Sequence, residues 1–529
     1  MKIKISNSVS GLTVLTVTLL TVLTVILPAC RQESDDVMNY AYQDEMAFSA
    51  ADSSYAAEFD VLWSGMNANY ALWDYEYEQG LDWDKVYEEF RPKFAALDAS
   101  KTAVPDSVLK ALLDSVITPL HDGHMTIQVK NRATGNYVSS APGVWRLVHE
   151  RMDEYNTAAN RNMLFSFYRD AGEFKEYMTA NSYTMQTLAM KAYAYLKTTI
   201  DRLDSIPEAD RTQEQNDTLN LYTKVNSELT IAFSNLLKGE QKKAIELYNI
   251  LAYRYEYLHI PSLEPVEPVI NEYGLEIVYA LTKDNIAYLY FDGFKLSAYL
   301  QPEFIEYFFG SCSDGTKALI QEVGNVWRTW FNAIQEHKKA GDLKGVIIDV
   351  RSNGGGFLHD SKFVLGALLP AGGFTDCNAR FKRGPGRFDY SPVLPQVMPT
   401  MDEEHVTVTE PVVVLCNCGS VSMAEHTSYG AKVMQNGTLI GTRTYGGFSA
   451  LSDAPSYTNN YSGYVGVMNE TPVFCYIPQE VAYTLDGKVV EGHGIDPDIV
   501  VELDAAALNG GNGRDTQLDR ALQFIRTGN

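Results

Sequence analysis

The sequence predicts an α/β protein: a layered domain of alternating strands and helices, preceded by a mainly helical region. Three observations carry this. After residue 275, apolar runs short enough to be strands ("IVYAL", "IAYLYFDGF", "KGVIIDV", "PVVVLCN") alternate with amphipathic stretches such as "QEVGNVWRTWFNAIQEHKKAG", the rhythm of a largely buried sheet with helices packed on it. Residues 55–120 place aromatic and aliphatic side chains at helical spacing, as in "VLWSGMNANYALWDYEYEQ" and "SVLKALLDSVITPL". From about 140 to 257 the pattern is again helical, broken by a polar stretch near 205–217.

These textures divide the 529 residues into 1–29, 30–54, a helical region 55–135, a helical insert 136–257, a proline-rich linker 258–274 ("IPSLEPVEPVINEYG" lies across it), a core 275–505 and a carboxy-terminal tail with a helix, 506–529. The amino terminus has the layout of an export signal: Lys2 and Lys4, a long uncharged and mostly apolar stretch, then small residues before Cys30. The ending "LPAC" resembles a bacterial lipobox, which makes Cys30 the expected lipidation site and 1–29 a lipoprotein signal peptide. An uncleaved membrane anchor is the alternative, since about 18 apolar residues suffice to span. Either reading places the remainder outside the cytoplasm, tethered to a membrane of the cell envelope, with 30–54 as a solvated tether.

A formal net charge of −24, with no dense Lys/Arg cluster, excludes a nucleic-acid partner. Beyond Cys30, the five cysteines Cys312, Cys377, Cys416, Cys418 and Cys475 cannot all pair within one chain, so the expected fold does not depend on disulfides. No metal and no cofactor is expected, because no second CxC or CxxC accompanies Cys416/Cys418 and the nearby histidines lack ligand spacing. Nothing in the sequence fixes an oligomeric state.

The chemistry-bearing stretches lie mostly in the core. "KGVIIDVRSNGGGF" is a buried strand ending near Asp349 and Arg351, followed by Gly354, Gly355 and Gly356, which allow backbone N–H groups to approach a ligand closely. "PVVVLCN" leads into "CGSVSMAEHTSYG", which puts Ser422 where a strand turns into a helix and the N–H of Met423 at the helix start, where it can face a developing negative oxygen. A nucleophilic serine needs a proton acceptor, and the next loop, "GTRTYGGFSA", has no lysine.

In order, "IIDVRSNGGG", "VVVLCNCGSVSMAE", "LIGTRTYGG" and "DGKVVEGHGIDPDIVV" resemble the motifs of tail-specific, or carboxy-terminal-processing, serine peptidases, a family that includes the tricorn protease and has a crotonase/ClpP-like core. The resemblance covers roughly 275–505. Its S-x-S-x-x-E pattern selects Ser422, three residues before Glu425, over Ser420, and leaves Glu425 to support the first helical turn. Ser-Lys members carry the lysine in T-[FY]-G-K-G; Gly447 stands there, so a Ser-Lys dyad is excluded. The tricorn-type branch implies instead a histidine from a D-x-H turn and a late glutamate, which "HDGHMTI" supplies as Asp122 and His124 and "EGHGIDPD" as Glu491.

The expected catalytic set is therefore Ser422 as nucleophile, His124 as base and Glu491 as orienting carboxylate, with Gly355 and Met423 N–H groups as the oxyanion hole. Glu491 as a plain turn cap is the alternative for that residue. His426, four residues after Ser422 on the same helix, is a weaker base candidate, and His121, His359 and His493 are expected at the surface. Two departures stand out: Gly123 precedes the histidine where the tricorn pattern has a hydroxyl residue, and the helical insert occupies the place of a PDZ domain, so recognition of a substrate tail is unsupported. The expected activity is hydrolysis of peptides or proteins through an acyl-enzyme by a membrane-tethered serine peptidase. A non-catalytic ligand- or peptide-binding lipoprotein on the same fold is the alternative, and a hydrolase of non-peptide esters fits the same residues.

Overall fold

The computed structural model describes residues 54–154, 182–183, 185–236, 275–301, 304, 314–384, 386–401, 404–451, 463–504, 506–507 and 514–529. Cys30, the segments 1–29 and 30–53, Cys312, the proline-rich linker and parts of the helical insert lie outside them. Among the described residues no helix is long and apolar enough to cross a membrane.

Fourteen strands are described: β1 Thr126–Lys130, β2 Tyr137–Ser140, β3 Ser182–Tyr183, β4 Ile277–Leu281, β5 Ile286–Phe291, β6 Gly345–Asp349, β7 Thr375–Phe381, β8 Leu394–Val397, β9 Val412–Cys416, β10 Gly437–Gly441, β11 Tyr464–Val465, β12 Val473–Tyr476, β13 Glu480–Tyr483 and β14 Ile499–Val500. Seven of them form the main sheet, in the order β14-β10-β9-β6-β5-β4-β3. The run β5-β6-β9-β10-β14 is parallel, and β4 and β3 close one side antiparallel.

The apolar runs become strands because both faces are covered. Along β6, Val346 and Ile348 face one cluster and Ile347 the other; along β9, Val412, Val414 and Cys416 oppose Val413 and Leu415. On the first face pack helix α1, Asp314–Ala340, through Trp327, Trp330 and Phe331, and helix α2, Met423–Val433, through Ala424 and Ala431. On the second packs α3, Thr516–Thr527, through Leu518, Leu522 and Ile525. Helix α3 is fixed by a fully buried ion pair: Asp515, its N-cap, accepts from Leu518 N–H and meets Arg351 at 2.8 Å, while Arg351 also contacts Asp349 at 2.7 Å. The Asp349/Arg351 pair at the strand end thus anchors the carboxy-terminal helix.

The amino-terminal helices Tyr55–Asn69, Trp83–Asp98 and Asp106–Ile117 pack on a second sheet, order β11-β12-β1-β2, rather than on one another alone. Their shared core joins Phe59, Phe94 and Leu113 to Val473, Cys475 and Val481, near the other end of the chain. The boundary expected at 135/136 falls between two paired strands, because β1 and β2 form one hairpin. Of the helical insert, Met185–Asp204 and Gln213–Leu236 pack through Leu196, Tyr222, Val225 and Leu229 against the main core, with a polar turn between them. A third sheet, β13-β7-β8, flanks the main one. The described cysteines Cys377, Cys416, Cys418 and Cys475 are free and buried.

Phe59 is fully buried and stacks on Phe94 at 4.6 Å. Phe59→Ala should cost about 3–5 kcal/mol, read as a lowered urea midpoint. Because that cluster contains β12 and β13, unfolding should remain one transition by tryptophan fluorescence and circular dichroism. A separate early transition of the amino-terminal helices would contradict the shared core.

Candidate active site

Three loops leave the carboxyl ends of the adjacent parallel strands β6, β9 and β10 on one side of the sheet, the position at which open α/β sheets hold ligands. The loop after β9 carries Ser422 with φ 58° and ψ −119°, a left-handed conformation that is strained for a residue with a Cβ. Helix α2 starts at the next residue, so the serine stands at a sharp elbow. The elbow is held by Ser422 N–H donating to Gly447 carbonyl at 3.0 Å and Val421 N–H to Asn353 carbonyl at 2.9 Å. Ser420 is turned inward: fully buried, it donates to Val350 carbonyl at 2.7 Å, whereas Ser422 is half-buried and lines the cavity.

The glycine loop after β6 abuts the elbow. A Cβ on Gly355 would lie 2.5 Å from Ser422 Cβ, so only glycine fits. Gly355 N–H, expected as an oxyanion donor, donates here to Asn353 Oδ1 at 2.9 Å. Gly356 instead lines the cavity that contains Ser422 and His124, of about 340 Å³. Neither Gly356 N–H nor Met423 N–H has a protein acceptor among the described residues. The sequence could not separate these neighbours, because an Asn two residues before a glycine closes a local turn onto it only at one backbone geometry.

His124 reaches the cavity from the turn before β1. Asp122 Oδ1 accepts from His124 N–H and Met125 N–H, each at 2.7 Å, which sets the turn. His124 Nδ1 lies 3.7 Å from Glu491 Oε1, an ion-pair contact slightly longer than a hydrogen bond. Burial pushes the imidazole down, but the carboxylates of Glu491, Asp122 and Glu425 outweigh it and hold its pKa above the ordinary histidine value. Asp122 is pushed up to about 7 by its burial and by the charge of Glu491.

Glu491 is buried and does more than face the histidine. Oε1 accepts from Gly123 N–H at 3.1 Å, and Oε2 from Phe448 N–H and Ser449 N–H at 2.9 and 2.7 Å. One carboxylate therefore joins the histidine turn to the loop after β10. Gly123 is required for this: a Cβ there would fall 2.1 Å from the Gly446 carbonyl oxygen.

Glu425, expected to support the first turn of its helix rather than the chemistry, accepts from the Thr444 hydroxyl and from Gly446 and Gly447 N–H groups, so it too holds the loop after β10. Burial pushes its pKa up, against these hydrogen bonds. His426 does not point its Nε2 at Ser422; that nitrogen is 2.9 Å from Phe448 carbonyl, and the ring stacks on Phe448. His121 pairs with Glu76 at 3.0 Å and is half-exposed, as are His359 and His493.

Gly447, where a Ser-Lys peptidase has its lysine, lies against the His124 ring. A Cβ at 447 would lie 3.3 Å from His124 Cε1 and Nδ1. A side chain on this loop would press on the histidine ring, which would have to give by a few tenths of an ångström.

A serine on a strained elbow and a histidine with a buried ring line one cavity, with a carboxylate 3.7 Å behind the histidine. Residues 286–501 match the profile of "Peptidase family S41", and that part of the chain is a peptidase family S41 domain. The chain is 30% identical over 169 residues to a carboxy-terminal-processing protease of Bartonella bacilliformis, covering 32% of this chain and 33% of that protein. It is 28% identical over 181 residues to the tricorn protease of Thermoplasma volcanium, covering 34% of this chain and 14% of that one. The chain thus matches a third or less of these relatives' lengths. Among solved structures, a candidate peptidase from Parabacteroides merdae is similar with a TM-score of 0.45 at 17% identity, over 90% of this chain and 98% of that one.

Gly447→Ala should push the His124 ring by a few tenths of an ångström. The expected outcome is a fall in kcat of about tenfold to a hundredfold with an unchanged urea midpoint, measured on any turned-over substrate. Unchanged kcat would mean that the ring position is irrelevant to turnover.

Proposed function

We propose that the protein is a serine peptidase that hydrolyses peptide bonds through an acyl-enzyme on Ser422. His124 takes the Ser422 proton as the hydroxyl attacks the scissile carbonyl and returns it to the leaving amine; Glu491 orients the imidazole and offsets its positive charge. Gly356 and Met423 N–H groups hold the oxyanion. The observation that carries this reading is the three-way use of Glu491: a residue that only capped a turn would not bind both the histidine turn and the 448–449 backbone while facing His124.

The cavity wall is formed by Phe357, Leu358, Leu451, Tyr464 and Tyr476 beside Ser422, which suits an apolar or aromatic side chain of a peptide substrate. The lipid anchor belongs to the same proposal. Its support is Lys2, Lys4, the apolar stretch and "LPAC" before Cys30. Such an anchor would place the peptidase in the cell envelope, facing peptides outside the cytoplasm.

Ser422→Ala and His124→Ala should each lower turnover by on the order of 10⁵–10⁶-fold, and the double variant should be little worse, because the two act as a unit. Glu491→Gln should lose roughly 10³–10⁴-fold, since its amide would turn an NH₂ toward backbone N–H donors. As the base must be neutral, kcat/KM should fall on acidification through a pKa above about 6.5. Near-native turnover in His124→Ala beside an inactive Ser422→Ala would reassign the base. Turnover absent from well-folded wild-type protein across varied peptides and esters would favour the binding reading.

Cys30→Ser should abolish lipidation and shift the protein from the membrane to the soluble fraction. Unchanged mass and partition, by mass spectrometry and fractionation, would overturn the anchor.

A further inference from the structure

Away from the groups assigned to hydrolysis, one buried cluster has a composition that such a mechanism does not use. Asp376, Cys377 and His426 offer a carboxylate oxygen, a sulfur and a ring nitrogen, all within 4.8 Å of one another, and all three residues are buried. Their convergence needs a structural device. Successive residues of a regular strand face opposite sides of the sheet, so an unbroken β7 would aim Asp376 and Cys377 apart. The β7–β8 pairing slips between Thr375 and Cys377, an irregularity of the kind that re-aims a side chain.

His426 is held as metal-ligating imidazoles are held. Its Nε2–H donates to Phe448 carbonyl at 2.9 Å, and the ring stacks on Phe448 with centroids 4.1 Å apart. In the neutral imidazole that bond leaves the lone pair on Nδ1, which lies 3.9 Å from Asp376 Oδ2. The anchoring partner of the imidazole is therefore in place without any ion.

We propose that Asp376, Cys377 and His426 bind one divalent cation of the zinc class, through the carboxylate, the thiolate and Nδ1. A mixed oxygen, sulfur and nitrogen set favours zinc or cobalt over magnesium or calcium. On binding, the Cys377 S–H bond breaks, as does the His426 Nδ1–H bond where that nitrogen is protonated; the protons leave to solvent, and sulfur–metal and nitrogen–metal bonds form. Thiolate and carboxylate together offset the two positive charges, so the buried site is neutral overall. Because His426 lies on α2 and Asp376 and Cys377 on β7, the ion would tie the helix that begins after Ser422 to the third sheet. His426 also lines the Ser422 cavity, so the site forms part of its wall. The proposal does not depend on the peptidase reading.

The test is cobalt titration of the chelator-treated, full-length protein, followed by absorption spectroscopy. The expected result is one equivalent bound with a thiolate-to-cobalt charge-transfer band in the near ultraviolet, bleached by one equivalent of zinc. Cys377→Ser, nearly isosteric, should lose the band while keeping the native circular dichroism spectrum. Asp376→Asn, a second variant that leaves the sulfur in place, should keep the band but weaken affinity at least tenfold, as should His426→Ala. Absence of stoichiometric binding by natively folded wild-type protein would overturn the proposal. So would a band that survives Cys377→Ser, which would place the metal on another of the buried thiols.

Discussion

Two buried carboxylates hold the site together, and the rest of the geometry depends on them. Glu491 and Glu425 both sit at the loop after β10, and five backbone N–H groups, from Gly123, Gly446, Gly447, Phe448 and Ser449, point at their oxygens. A carboxylate taken out of water without partners is costly, whereas each hydrogen bond to a charged group contributes about 1.5–3 kcal/mol. The charges are therefore stable only while the loop and the histidine turn keep this shape, and the loop keeps this shape only around the charges. Removing either acid would leave several N–H donors unpaired in the interior.

The same loop packs against the histidine beside Ser422. Gly446 has φ 101°, its neighbour Gly447 has no side chain, and the ring of His124 fills the volume above. His124 reaches this point from a different sheet, on a turn set by Asp122 and held to Glu491 by a glycine N–H. Catalytic geometry of this type is thus a joint property of two sheets. The amino-terminal helices matter to it because they cover the sheet whose first strand begins just after His124.

Much of this was legible in the sequence, and the limits have physical causes. The runs "GVIID" and "VVVLC" could be read as strands buried on both faces, because an apolar run without alternation, too short for a buried helix, must be covered on either side. The elbow at Ser422 and the convergence of Ser422, His124 and Glu491 followed from ordered motifs. What stayed hidden depended on contacts distant in sequence or on a single backbone geometry. The shared core of Phe59 and Val473 is a pairing across most of the chain, which periodicity cannot report. Asn353 capturing the Gly355 N–H, Glu425 reaching back to Thr444, and the slip in β7 that brings Asp376 beside Cys377 each depend on where one side chain or one strand residue points.

The central claim, that Ser422 is activated by His124 and Glu491 in one cavity, is tested most directly by labelling with a fluorophosphonate and mapping the adduct by mass spectrometry as a function of pH. The account predicts a single adduct on Ser422 that forms more slowly as pH falls through the His124 pKa and is nearly lost when His124 is replaced by Ala. Labelling of Ser420 or another hydroxyl, or a Ser422 adduct whose rate is indifferent to pH and to His124, would contradict it.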